Sequence, residues 1–172
     1  AAAVGTVRAV PEPLLGFRSH PEQQTGVLTP AQLRSRRLAA AVAAVRALPD
    51  VELVGVVDLD PARAAAFAAK HQVTVYPSLA ALVAAGANVI HVLTPPSSHG
   101  AIAKAALEAG CHVVLEKPVT EDPAEGRALV ALAKAKGKTI TVDHALLFDP
   151  QVVRARDAVR SGSLGQIVSV DI

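Results

Sequence analysis

The sequence predicts an α/β protein built on a doubly wound parallel sheet, and three observations carry the prediction. From Val51 onward, short apolar runs alternate with alanine-rich amphipathic stretches at about the ~30-residue spacing of a βαβ unit or slightly less. The runs are β-branched and mostly apolar on both faces, as strands covered by helices on each side should be. The stretches between them open on helix-cap residues and close on glycines.

Strands are expected at Val51 to Asp58, a short Val73 to Tyr76, Asn88 to Thr94, Cys111 to Glu116 and Thr139 to His144. The first helix opens at Thr29-Pro30-Ala31-Gln32, which reads as a capping box with proline at the first helical position, and runs to about Leu48. Asp60 before Pro61, Ser78, Ser97 or Ser98, and Thr120 before Glu121-Asp122-Pro123 offer cap oxygens or a first-turn proline to the following helices. Gly110 and Gly137 sit where helices should stop. A further helix, about Pro150 to Arg160, leads through a Ser-Gly turn to an expected strand from Gln166 to Ile172, whose sheet would belong to a second domain. Pro11, Pro13 and Pro21, with Gly16 and Gly26, interrupt the start of the chain. The expected organisation is an irregular segment over 1–28, an α/β domain over 29–150, and a linking helix with the first strand of a truncated domain over 151–172.

A chain of 172 residues is long enough for one domain with a real core. Hydrophobic residues at 51% and charged residues at 19% place it among globular proteins. With three Phe, one Tyr and no Trp, the core must come from Ala, Val, Leu and Ile, and base-stacking platforms for single-stranded nucleic acid are scarce. A formal charge of +2 makes no electrostatic case for nucleic acid or an anionic membrane, so the expected partner is a small molecule. The single cysteine excludes an intrachain disulfide and a multi-cysteine metal site, which makes cytoplasm the expected compartment. Apolar runs fall short of the ~20 residues of a membrane-spanning helix. The absence of Met, even at position 1, reads as a fragment or processed product.

Asp58 ends the strongest strand, where a carboxylate in a dinucleotide-binding fold accepts hydrogen bonds from the adenosine ribose and repels a 2'-phosphate, favouring NAD over NADP. The plainer reading, that Asp58 or Asp60 caps the next helix, has about even weight. Counting back about 25 residues to the usual GxGxxG turn lands on Leu33-Arg34-Ser35-Arg36-Arg37-Leu38, with all three glycines absent. Arg34, Arg36 and Arg37 either grip phosphate by charge or form a solvated helix face, and the second is favoured. Thr94-Pro95-Pro96-Ser97-Ser98-His99 follows a strand at the crevice edge, with His99 facing either a ligand or water. Glu116-Lys117-Pro118 closes the next strand, where a lysine can exchange a proton with an alcohol or carbonyl. Its plainer reading is a surface ion pair. Adjacent Cys111 and His112 alternate across a strand and cannot chelate one metal, and His91 reads as a core histidine, so no metal is expected.

Taken in order, VELVGVVDLDP, VIHVLTPPSSH, ALEAGCHVVLEKPVT and the strand leading to Phe148-Asp149-Pro150 resemble the glucose-fructose oxidoreductase and inositol dehydrogenase family, Gfo/Idh/MocA, over about Leu38 to Ile172. The resemblance implies a Rossmann-like sheet, incomplete here at its first strand and glycine loop, with residues 29–150 as the NAD(P)-binding domain. It implies that Asp58 holds the adenosine ribose and that Thr94, Pro95, Pro96 and His99 line the cofactor cleft. Glu116 and Pro118 would flank the nicotinamide end, and Lys117 would be the catalytic lysine. His144 is the substrate-side polar candidate, because Ala145-Leu146-Leu147 stands where members often carry Asn and Arg. The implied activity is hydride transfer between NAD(P) and a sugar, polyol or related hydroxy or keto compound, with this chain alone inactive and room for a homo-oligomer built through the missing domain. Two alternatives stay open: a non-catalytic degenerate domain, and a product of a frameshifted or truncated gene.

Overall fold

A computed structural model describes residues 2–6 and 30–169. They fall into two units, one holding 2–6 and 30–143 and the other 144–169.

The first unit is an α/β sheet of five strands in the spatial order β2-β1-β3-β4-β5. The strands are β1 (Ala2–Thr6), β2 (Leu53–Asp58), β3 (Val89–Val92), β4 (His112–Glu116) and β5 (Ile140–Asp143). β3, β4 and β5 run parallel, in the register Ile90↔Val113↔Ile140. Outside β2, Val75 adds a parallel bridge to Val56, with the Val56 amide donating to the Thr74 carbonyl and the Tyr76 amide to the Val56 carbonyl. The helices are α1 (Pro30–Arg46), α2 (Pro61–His71), α3 (Leu79–Ala84), α4 (His99–Glu108) and α5 (Pro123–Ala135). This is the Rossmann-like arrangement, with one departure.

The departure is β1. Ala2–Thr6 fills the slot between β2 and β3 but runs antiparallel to both neighbours, pairing Ala2 with Asp58 and Val4 with Val56 and His91. The expectation of irregular backbone over 1–28 is corrected here; residues 7–28 lie outside the described residues. The physical reason is that no proline precedes Pro11, so nothing in Ala2-Ala3-Val4-Gly5-Thr6 prevents extension. The facing edges of β2 and β3 also need donors and acceptors that an empty slot would not supply. Because β1 is reversed, its Thr6 end lies beside Leu53, at the sheet edge away from Asp58.

Helix boundaries follow cap chemistry. Asp60, Ser78 and Asp122 each accept a hydrogen bond from a first-turn amide, of Arg63, Ala81 and Ala124 respectively, and Pro61 and Pro123 occupy the first helical turn. The expected caps Ser97 or Ser98 do not act that way: Pro96–Ser98 is a 3₁₀ turn, and Ser98 makes no side-chain cap bond to α4. Gly110 and Gly137 end α4 and α5 at positive φ, 82° and 63°, letting the Cys111 and Lys138 amides return to the carbonyls of Ala106 and Ala133.

The main core lies between the sheet and α4 and α5. Ile90, Val92, Val113 and Leu115 meet Ala103, Ala106 and Leu107 of α4 and Leu129 and Ala133 of α5, all buried. A smaller cluster joins Leu38, Ala41 and Val42 of α1 to Val56, Phe67 and Leu93. Cys111 is buried within the main core, as expected of a small apolar residue. The second unit consists of a 3₁₀ turn, Ala145–Phe148, and helix α6 (Pro150–Arg160), capped by Asp149 through the Gln151 amide. α6 has the bounds expected from sequence. The expected strand at Gln166 is not formed over 166–169, and residues 170–172 lie outside the described residues. No described helix is long and apolar enough to cross a membrane.

Candidate active site

The carboxyl edge of the sheet brings three of the sequence-selected segments into line. Asp58 ends β2, Thr94 stands two residues beyond β3, and Glu116 ends β4 opposite Asp143 of β5.

Asp58 is held by a fork. Arg63 Nε donates to its Oδ2 and Arg63 Nη2 to its Oδ1, both at 2.7 Å, and the Asp60 amide adds a bond of 2.9 Å. Burial works to raise the Asp58 pKa, but the hydrogen bonds from Arg63 and the Asp60 amide outweigh it, so the carboxyl titrates below its ordinary value. The sequence reading overlooked Arg63. Its signal was available: an arginine in the first turn after the Asp60-Pro61 cap is within reach of a carboxylate at the preceding strand end.

The Thr94–His99 loop is tightly knit. The hydroxyls of Ser98 and Thr94 are 2.7 Å apart, and the Pro95 carbonyl accepts at 2.8 Å from Ser98. Pro95 and Pro96 are half-buried and Thr94 is buried. His99 is wholly buried; its Nε2 lies 2.8 Å from the Thr94 carbonyl oxygen and its Nδ1 2.7 Å from that of Pro118.

At the end of β4, the Glu116 side chain is spoken for twice. One oxygen meets Arg37 of α1 at 3.2 Å and the other accepts from the Lys117 amide at 3.0 Å. Glu116 therefore pairs with Arg37 rather than with the Lys117 ammonium, and both Lys117 and Pro118 are exposed, joined by a cis peptide. Arg37 stays on an exposed part of α1, as favoured from the sequence, and adds this ion pair, a long-range contact that residue spacing does not encode. His144 is exposed and belongs to the second unit. Among the described residues no three or more His, Cys, Asp or Glu gather as a metal-binding group.

The fit to a dinucleotide is partial. Asp58 ends β2 with both carboxylate oxygens engaged by Arg63 and the Asp60 amide and its side chain 7% exposed, and Lys117 is exposed at the same sheet edge. The pyrophosphate has no cradle among the described residues: α1 contains no glycine, and the reversed β1 leads away from the crevice.

Residues 31–144, more than half the chain, match the family model described as an oxidoreductase family with an NAD-binding Rossmann fold. The UDP-N-acetylglucosamine 3-dehydrogenase of Acidithiobacillus ferrooxidans is 35% identical over 62% of this chain and 34% of its own length. The dTDP-3,4-didehydro-2,6-dideoxy-alpha-D-glucose 3-reductase of Streptomyces antibioticus is 34% identical over 87% of this chain and 45% of its own. Among solved structures, the WlbA dehydrogenase from Bordetella pertussis, in complex with NADH and UDP-GlcNAcA, superposes with a TM-score of 0.71 at 26% identity, over 77% of this chain and 39% of that one. The chain thus spans less than half the length of these relatives. By the match over its α/β unit, the chain belongs to the Gfo/Idh/MocA oxidoreductase family, as its NAD-binding Rossmann domain.

Proposed function

We propose that this chain is the nucleotide-binding part of an NAD(P)-dependent oxidoreductase acting on a sugar, polyol or related hydroxy or keto compound, and that it is inactive by itself. The observation that carries the reading is the alignment of Asp58, Thr94 and Lys117 along one sheet edge in a chain of this family. Residues 29–150 form the cofactor half, and 151–172 lead toward a substrate half. Asp58 accepts from the adenosine ribose, Thr94, Pro95 and Pro96 form the cleft wall, and Glu116 and Pro118 frame Lys117. The Lys117 ammonium exchanges a proton with the substrate oxygen. NAD is favoured over NADP because the Asp58 carboxylate at the end of β2 would repel a 2'-phosphate. His144 is a substrate-side candidate, and the compartment is the cytoplasm.

A second reading, a degenerate domain that binds no dinucleotide, is favoured by the reversed β1 and the glycine-free α1. Calorimetric titration of NAD into the chain is expected to show no micromolar binding under either reading. The two part company once a glycine turn and a relative's second half are grafted on. Lys117→Ala should then lower turnover by ~10²- to 10⁴-fold with NAD affinity within a few-fold, while Asp58→Ala weakens NAD more than it slows the bound complex. Wild-type turnover in the grafted Lys117→Ala protein at saturating cofactor and substrate would remove the lysine from the chemistry. A graft that folds without binding NAD would establish the second reading.

A further inference from the structure

Lys117 is exposed, yet the backbone on either side of it is held. On one side its own amide donates to the Glu116 carboxylate. On the other, the carbonyl of Pro118 lies 2.7 Å from Nδ1 of His99, the first residue of α4. The same ring reaches the Thr94 carbonyl through Nε2, at 2.8 Å. Both partners are carbonyl oxygens, which only accept, so the ring must donate in each contact: the imidazolium donates to both at once, and a neutral ring to one at a time. Burying a polar ring costs free energy unless its hydrogen bonds return it, and an apolar side chain would fill the same space without that cost. The ring's value in this place is the pair of ties.

We propose that His99 is a positioning residue: one buried ring fixes the loop after β3 against the loop after β4 and thereby sets where Lys117 stands. The consequence for proton transfer rests on the reading of Lys117 given above; the ties themselves do not. Other contacts brace the same corner. The Ser98 hydroxyl bonds to Thr94 and Pro95, Thr120 donates to the Asp122 carbonyl at 2.7 Å, and the Glu125 carboxylate rests against Gly100. None of these reaches across from Thr94 to Pro118; His99 does.

The two ties can be cut separately in the cofactor-free chain. Asn carries its amide nitrogen close to where Nδ1 stands, and Gln close to where Nε2 stands. His99→Gln should therefore keep the Thr94 carbonyl ¹³C signal near its wild-type position while that of Pro118 moves, the Lys117 amide exchanges about tenfold faster, and the Lys117 side-chain signals approach those of an unconstrained lysine. His99→Asn should do the reverse, holding Pro118 and Lys117 and releasing Thr94. His99→Ala should release both, with exchange at Ile90 and Leu115 within about twofold of wild type. Equal disturbance of both carbonyls by Asn and Gln, an unmoved Pro118 and Lys117 in the Gln variant, or unfolding of all three variants would each overturn the proposal and leave His99 as core filling. Because no cofactor takes part, that result would leave the oxidoreductase reading standing, just as failure of the grafted enzyme would leave the ties standing.

Discussion

The corner formed by β3, β4 and their following loops differs from the β1–α1 side of the same sheet in what its candidate site is made of. At the β3–β4 corner, the candidate site consists of side chains and local turns: Lys117, the Thr94–Ser98 knot and the His99 contacts. On the β1–α1 side, a dinucleotide site would depend on bare backbone, a parallel strand delivering amides to phosphate through glycines. Side-chain sites can stay intact when a neighbouring strand changes direction. A backbone cradle cannot, because reversing the strand moves its exit to the other edge of the sheet.

The largest effect on stability is expected from loss of β1, whose pairing joins β2 to β3. β1 pairs along five residues with β2 and three with β3. A chain shortened to begin at residue 29 should lose several kcal/mol of stability, on the order of 0.5–1.5 kcal/mol for each net ladder bond, read from urea midpoints. Hydrogen exchange should rise in β2 and β3 and far less in β5. An unchanged midpoint would mean that β2 and β3 do not rely on Ala2–Thr6.

His91 sits on β3 directly beside Val4 of β1 and reports on the same seam. Its Nε2 is buried without a hydrogen-bond partner among the described residues, and burial holds its pKa down to about 4, with Asp143 only partly opposing. The unfolded chain takes up this proton near pH 6.5, whereas the folded one resists until about pH 4. The associated stability is therefore complete above about pH 6.5 and is lost progressively as pH falls toward 4, by up to about 3 kcal/mol. His91→Phe removes the titrating group. Between pH 7.5 and 4.5 the wild-type urea midpoint should fall further than that of the variant. Parallel curves would show that water reaches the ring and that the β1–β3 seam is open.

Much of this was legible from residues alone. Asp60-Pro61 and Asp149-Pro150 mark helix starts because a cap oxygen and a preset φ act locally. The strands from Leu53 to Asp143 follow from apolar runs, and the resemblance carried by TPPSSH and EKP located the sheet edge. The remainder depends on distant partners. Ala2–Thr6 is short, small-chained and close to a run of prolines, so only the vacancy between β2 and β3 reveals it as a strand. His99 heads a helix, a place usually exposed, yet it is buried with its ring against the carbonyl of Pro118, nineteen residues away. The pairing of Arg37 with Glu116 joins α1 to β4, which no local pattern anticipates.

That pairing supplies the smallest expected effect and a direct reading of how firmly α1 is tied to the opposite corner. The Arg37 and Glu116 side chains are 49% and 14% exposed and meet at 3.2 Å. Water screens the half-exposed guanidinium, and ordering it costs side-chain entropy, so a double-mutant cycle with Arg37→Ala and Glu116→Gln should give a coupling of about 0.2–1 kcal/mol. Raising the salt to about 1 M, where the Debye length is about 3 Å, should remove most of it. The Glu116→Gln change keeps an acceptor for the Lys117 amide, so the cycle isolates the arginine contact from the lysine one. Coupling well above 1 kcal/mol that survives salt would mean that α1 is locked to the EKP corner and that the two sides act as one unit. Coupling near zero would separate them further: the side-chain corner would then stand without α1, and a glycine turn could be grafted before α1 without disturbing Lys117.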